Sequence, residues 1–166
     1  MNETKRIRAL LVPAETTLVA ALLITLLPFP TYSQRKAHTG KSFAQMLVET
    51  TLAKHPESDE ISISANTSRG CLGIASTDKS DVGGKCEKED SEPMRTGKPV
   101  VEKEKDGFDV SLPLHDSTGH IVGALGVGFK PAAGQTDASV TGQAQKIAAE
   151  MEMQIPSKAK LLEGSE

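Results

Sequence analysis

Tryptophan is absent from this 166-residue sequence, tyrosine occurs once and phenylalanine four times. Tyr32 and Phe29 fall in an N-terminal segment set apart below, so the remainder carries only Phe43, Phe108 and Phe129. Stacking platforms for bases and aromatic cages for ammonium groups are hard to build from so few rings. A strong charge of either sign is also missing, since 19 basic residues face 22 acidic ones for a net of −3. Without a basic cluster the chain lacks the electrostatic footprint of a nucleic-acid partner. Enzyme signatures are missing too. There is no G-x-S-x-G elbow, no H-E-x-x-H and no phosphate-binding glycine loop, and no serine, histidine and acid single themselves out. The chain is therefore expected not to be an enzyme and to need no cofactor.

Long hydrophobic runs are limited to one. Lys5, Arg6 and Arg8 precede a largely apolar stretch ending in LVAALLITLL, Leu18 to Leu27, and PFPTYSQ follows with small residues at Thr31 and Ser33. Basic, apolar and small in that order describe a secretory signal peptide, expected over residues 1–33. The apolar core is too short for a membrane span, which needs about 20 residues. Cleavage after Ser33 removes three basic and two acidic residues, leaving 16 against 20 and a net of −4. The mature chain then has the length of one domain and is expected to be periplasmic or secreted.

Only two cysteines are present, Cys71 and Cys86, at the two ends of CLGIASTDKSDVGGKC. In an oxidising compartment two cysteines pair, and a redox-active dithiol would need C-x-x-C spacing that this segment lacks. The expected disulfide closes a loop of about 15 residues and stabilises by about 3 kcal/mol in the chain-entropy account.

After a polar lead-in, residues 34–41, Ser42 opens a helix, with Gln45 at capping-box spacing and Phe43, Met46, Leu47 and Thr50 as its apolar stripe. His55-Pro56 stops it. EISISAN alternates isoleucine with serine as a strand does, TSRG turns, and CLGIAS returns. EKEDSEPM makes a short helix or turn. VVEKEK and FDVSLPL are joined at Asp106-Gly107, the strongest hairpin signal in the chain. HIVGALGVGFK forms a last strand whose glycines suggest a bulge or a close backbone contact. Asp137 caps a closing helix with Val140, Ala144, Ile147, Ala148 and Met151 on one face, limited by Pro156. The fold class expected is α+β, a five-stranded antiparallel sheet with the N- and C-terminal helices packed on one face. The domain is expected over residues 42–155, with 156–166 a C-terminal tail.

The order of these elements, with IASTDKSDVGGKC, RTGKPVVEKEKDGFDVSLPL and DSTGHIVGALGVGFK, resembles the extracytoplasmic sensor domains called PDC or single Cache domains, which have a PAS-like fold. The corresponding phrases are Ala75 to Asp78, Val82 to Lys85, Thr96 to Pro99 and Gly119 to Val127. Such domains usually sit between two membrane helices and feed an output domain. This chain looks like a free-standing exported version that binds a small organic molecule and presents itself to a membrane receptor or another exported protein.

The resemblance places a ligand on the sheet face opposite the long helices, beneath the segment between the second and third strands. That segment offers Asp78, Lys79, Ser80, Arg95, Thr96 and Lys98. Arg95 and Lys98 suit a small carboxylate, which a guanidinium grips bidentately. The competing account is that both are solvated charges balancing EKEDSE. On the meander, Lys103, Asp109 and Ser111 line the same face or meet water. His115, Asp116 and His120 form an incomplete ligand set around a turn, so no metal site is expected. The alternative function is a structural or protein-docking module that keeps the fold without a ligand.

Overall fold

A computed structural model describes residues 40–165 apart from Asp106, and the described residues form one compact unit. The expected signal peptide and most of the lead-in lie outside the described residues. No helix among the described residues is long and apolar enough to cross a membrane.

The first helix, α1, runs Phe43–Leu52, and the Ser42 side chain accepts from the Gln45 amide at 3.1 Å. The expected capping box does not close, because the Gln45 side chain is used elsewhere. Its amide nitrogen donates to the Ser76 carbonyl at 2.9 Å and its oxygen accepts from the Ser76 N–H at 3.3 Å. The helix is thereby stitched to the second strand. Its buried face is Ala44, Leu47, Val48 and Thr51, whereas Met46 is 49% exposed, so the expected stripe is rotated by about one residue.

Strands β1 (Ser58–Thr67) and β2 (Gly70–Ser76) follow, then α2 (Lys88–Thr96), a meander of β3 (Val100–Glu104), β4 (Gly107–His115) and β5 (Ile121–Phe129), and helix α3 (Asp137–Glu152). All strand pairs are antiparallel and the order across the sheet is β2-β1-β5-β4-β3. This is the α+β architecture with a five-stranded antiparallel sheet expected from the sequence. Gly107 is already paired with Glu104, so the β3–β4 connection sits one residue earlier than the Asp106-Gly107 signal implied.

One sheet face is apolar and the other polar, as period-two alternation requires. Ile61, Ile63, Val110, Leu112, Leu125 and Val127 meet in register on the apolar face and are buried. On this face lie α1 and α3, the latter burying Val140, Ala144, Ile147, Ala148 and Met151 as expected. Its cap is Thr136, which accepts from the Ser139 amide at 3.2 Å, rather than Asp137.

Residues 156–166 are not a tail beyond the domain. A short helix, α4 (Lys158–Leu161), buries Leu161 completely beside Ile155, and the Phe43 amide donates to the Glu163 carbonyl at 3.3 Å. An apolar position at 161 that finds the core explains why the chain continues to pack after Pro156.

Candidate functional site

The polar sheet face is built from three rows that run across the strands. Ser76, Ser62, Gly126 and Ser111 are partners in one row, and Glu60, Gly128, Asp109 and Glu102 in the next. Gly73, Ser64, Ala124 and Pro113 make the third. β5 contributes glycine at 126 and 128, and the neighbouring side chains close over them: a Cβ would lie 2.5 Å from Ser62 Oγ at 126 and 2.7 Å from Asp59 Oδ1 at 128. Strands two apart are separated by roughly 10 Å.

A segment between β2 and α2 walls this face. Lys85 bridges to Leu72, the Gly73 amide donates to the Gly84 carbonyl at 2.9 Å, and the Gly83 amide donates to the Gly73 carbonyl at 2.8 Å. The wall is thus an extra strand-like segment on the edge of β2, and the Cys71–Cys86 disulfide, with Cα atoms 5.3 Å apart, fastens its end. Gly73 is required for the close approach, since a Cβ there would lie 2.5 Å from the Asp81 carbonyl oxygen. On the other side α2 lies against β4 and β5 and buries Pro93, and Gly97 ends it in the left-handed conformation. Between wall, helix and sheet lies a cleft of about 420 Å³.

The cleft is acidic. Seven of its lining side chains are carboxylates and one, Lys85, is cationic. Glu87, Glu89 and Asp90 belong to the start of α2, where acids satisfy the helix terminus, as the Glu87 amide does by donating to Asp90 at 3.1 Å. The remainder have no such local reason: Glu60 from β1, Asp81 from the wall, Asp109 from β4 and Glu102 from β3. Burial first, then the hydrogen bond to Asp81 and the negative charges of Asp81, Asp109 and Asp78, push Glu60 up to about 7. The Ser76 hydroxyl sits between the pair, 3.4 Å from Glu60 and 3.2 Å from Asp81. Desolvation, with Glu104 and Asp59 nearby, raises Asp109, and desolvation with four neighbouring acids raises Glu102.

Of the residues singled out in the sequence, Ser80, Asp109 and Ser111 line the cleft. The rest lie elsewhere. Asp78 accepts from the Ser80 amide at 2.9 Å and hydroxyl at 2.8 Å, which makes it a turn former. Arg95 is on the last turn of α2, 73% exposed and 3.8 Å from Glu92. Thr96 donates to the Glu92 carbonyl at 2.8 Å and accepts from the Lys98 amide at 3.2 Å, closing the end of that helix. Lys79 and Lys98 are exposed and do not line the cleft. Lys103 pairs with Phe108 and lies 5.6 Å over its ring, which turns it to the apolar face, whereas its neighbour Glu102 pairs with Asp109 on the cleft face. The cationic grip expected of Arg95, Lys98 and Lys79 is therefore not assembled.

His115 is committed to α3, with Nδ1 2.6 Å from Glu152, and His120 lies against Thr118 at 2.7 Å in the turn shaped by Asp116. Among the described residues no three histidine, cysteine or acidic side chains are grouped as metal ligands. The site residues missed in the sequence are Glu60, Ser62, Ser64, Asp81 and Glu102, with Gly126 and Gly128. Their signal was the serine alternation of EISISAN opposite the glycine alternation of LGVGF, two polar and small faces able to meet only once β1 and β5 are known to be neighbours.

No protein-family model and no curated protein matches the chain. Among solved structures it is similar to the GAF domain of a phosphoenolpyruvate-protein phosphotransferase from Acinetobacter, at 15% identity and TM-score 0.47 over 69% of this chain and 82% of that one. The GAF domain of a two-component sensor histidine kinase from Bacillus halodurans gives 13% identity and TM-score 0.49 over 70% and 95%. A type II free methionine-R-sulfoxide reductase from Thermoplasma acidophilum gives 15% and 0.43 over 65% and 86%. At these scores the likeness is one of backbone outline alone.

Proposed function

We infer that this chain is a small-molecule-binding sensory module of the Cache type that works outside the cytoplasm. The observation that carries the reading is the cleft of about 420 Å³ on the polar sheet face, walled by a disulfide-fastened segment on one side and α2 on the other. Its volume is in the range of about 300–1,000 Å³ typical of ligand sites, and its polar groups converge from separate elements. Export is supported by the basic, apolar and small order of residues 1–33 and by a disulfide, which persists in oxidising compartments. The Cache assignment rests on the order of the phrases quoted above. A binding role is favoured over catalysis because the histidines 115 and 120 are engaged away from the cleft hydroxyls. The bound form would be read by a membrane receptor or another exported protein.

The experiment is a thermal-shift screen of small polar molecules of both charges, followed by circular dichroism or an added dye because tryptophan is absent. A binder should raise the melting temperature by mass action, about 2.7 kcal/mol at a hundredfold excess over Kd. Ser111→Leu puts bulk into the cleft from β4 and should remove the shift while the protein stays folded. If no molecule of either charge shifts the transition, the docking alternative replaces this reading. N-terminal sequencing of exported material should begin near Gln34; a start at Met1 in a membrane fraction would reject cleavage.

A further inference from the structure

The last turn of α3 carries the wrong charge for a helix end. Glu150 and Glu152 stand there with no basic residue in the turn, and a carboxylate is unfavourable against the partial negative charge of a helix C-terminus. Both instead reach histidines that other elements supply. Glu150 meets His55, from the joint between α1 and β1, and Glu152 meets His115, at the end of β4.

The two contacts differ in what they ask of the ring. His115 brings its Nδ1 to 2.6 Å and its backbone amide to 2.9 Å from the same oxygen of Glu152. A neutral imidazole with its hydrogen on Nδ1 satisfies that contact, so it holds with or without an added proton. His55 has Nδ1 3.0 Å from Glu57 Oε1 and Nε2 3.2 Å from Glu150 Oε2, so both ring nitrogens face carboxylate oxygens. A neutral imidazole has one donor and one acceptor nitrogen, and an acceptor nitrogen repels a carboxylate. Only the imidazolium donates on both sides. The side chain is 14% exposed, so a nitrogen left without its partner is largely cut off from water.

The surrounding charges leave the ring between these two acids. Glu57 is held below its ordinary value, first by a hydrogen bond from its own backbone and then, against some desolvation, by His55, so it stays an acceptor while histidine titrates. The cations nearby are Lys54 on the same segment, Lys146 one turn before Glu150 on α3, and Lys130 after β5, whose ammonium donates to the Pro56 carbonyl at 3.1 Å. All three are exposed.

We propose that His55 is a pH-sensitive clasp: protonated, it bridges Glu57 and Glu150 and ties the end of α3 to the α1–β1 joint; deprotonated, it keeps its Nδ1 hydrogen on Glu57 and releases Glu150. Glu57 keeps the contact because it lies two residues along the same turn and is held by its own backbone. Glu150 projects from a helix with 49% of its side chain exposed, so it turns into water, which takes its place at Nε2. His115 holds the same turn to β4 in either state, so the helix end loosens on one side without detaching. None of the three clasp residues lines the cleft, and the device does not depend on a ligand there.

Protein labelled with the heavy nitrogen isotope, titrated from about pH 5 to about pH 8.5, tests the clasp through imidazole nitrogen shifts and amide hydrogen exchange. His55, identified by the signals that His55→Gln removes, should carry hydrogen on both nitrogens at the acid end and on Nδ1 alone at the basic end. The Met153 and Gln154 amides donate to the Ala149 and Met151 carbonyls and so report on the end of α3. Their protection, corrected for the intrinsic pH dependence of exchange, should fall about three- to fivefold as pH rises, which is what a half-exposed ion pair supplies. Glu150→Gln, an exposed change that leaves the fold intact, should abolish the fall, whereas His120→Gln in the turn after β4 should leave it as in the parent. Neutral His55 with its hydrogen on Nε2, constant protection in the parent, or an equal fall in Glu150→Gln would each overturn the clasp.

Discussion

The carboxyl pair in the cleft makes a stability prediction that needs no ligand. Glu60 has an ordinary value of 4.5 and is raised to about 7, with burial the largest cause and Asp81 the next. Its folded value is above its unfolded one, so its favourable contribution is complete below about pH 4.5 and is lost as pH rises through 7. In the native protein the carboxyl must then ionise next to Asp81 and Asp109. At 1.36 kcal/mol per unit the gap corresponds to about 3.4 kcal/mol. Because Glu60 is only half-buried, solvent screening reduces this to about 1.5 kcal/mol. Glu60→Gln keeps the size of the side chain and its hydrogen-bonding capacity while removing the charge. The variant should match the parent at pH 4.5 and exceed it at pH 8.5 by about 1.5 kcal/mol, a melting temperature about 5 °C higher for a domain of this size. Thermal unfolding by circular dichroism at several pH values measures this. Glu57 and Asp78 are lowered instead, so what they contribute is lost only as pH falls below their ordinary values of 4.5 and 3.8 and does not confuse the window. A variant no more stable than the parent at pH 8.5 would show that Glu60 and Asp81 do not repel, and the electrostatic account of the cleft would fail.

The disulfide fastens the cleft wall, so replacing Cys71 and Cys86 with serine should lower stability by about 3 kcal/mol; an unchanged denaturant midpoint would refute that role. Leu161→Ala should cost about 2–4 kcal/mol in chemical unfolding because the side chain is fully buried, and a cost under 0.5 kcal/mol would return residues 156–166 to the status of a tail. Gly73→Ala should be destabilising by about 1–3 kcal/mol, since its Cβ would collide with the Asp81 carbonyl and push the wall off β2. Hydrogen exchange at Gly83 and Cys86 would rise in that variant, and unchanged protection would show that the wall is not held by this contact.

Local patterns were legible wherever a single element decides the outcome. The isoleucine–serine alternation of EISISAN and the 140–144–147–148–151 spacing each expose one apolar face whatever lies beyond, and both were read correctly from the sequence. The pairing of Cys71 with Cys86 followed from there being only two cysteines and from the oxidising compartment that the N-terminal segment led one to expect. Where two registers compete, the sequence was silent. Lys103 and Glu102 are both polar and adjacent, and only the pairing of β3 with β4 turns one to Phe108 and the other to Asp109. Gln45 has capping-box spacing, yet β2 lies close enough to claim its amide, and the buried face of α1 turns with it.

The candidate site belongs almost wholly to the tertiary level. Arg95 and Lys98 lie near the cleft in sequence terms, but helix geometry carries them to the solvent end of α2. Glu60, Asp81, Glu102 and Asp109 are separated by up to 49 positions and become neighbours only because β1 and β4 flank β5, the last strand in the chain. Composition could report a slight excess of acid, spread along the chain. Concentrating it over two glycines of a central strand required the sheet order, because hydrophobic burial determines which strands lie side by side, and the polar groups on the opposite face follow.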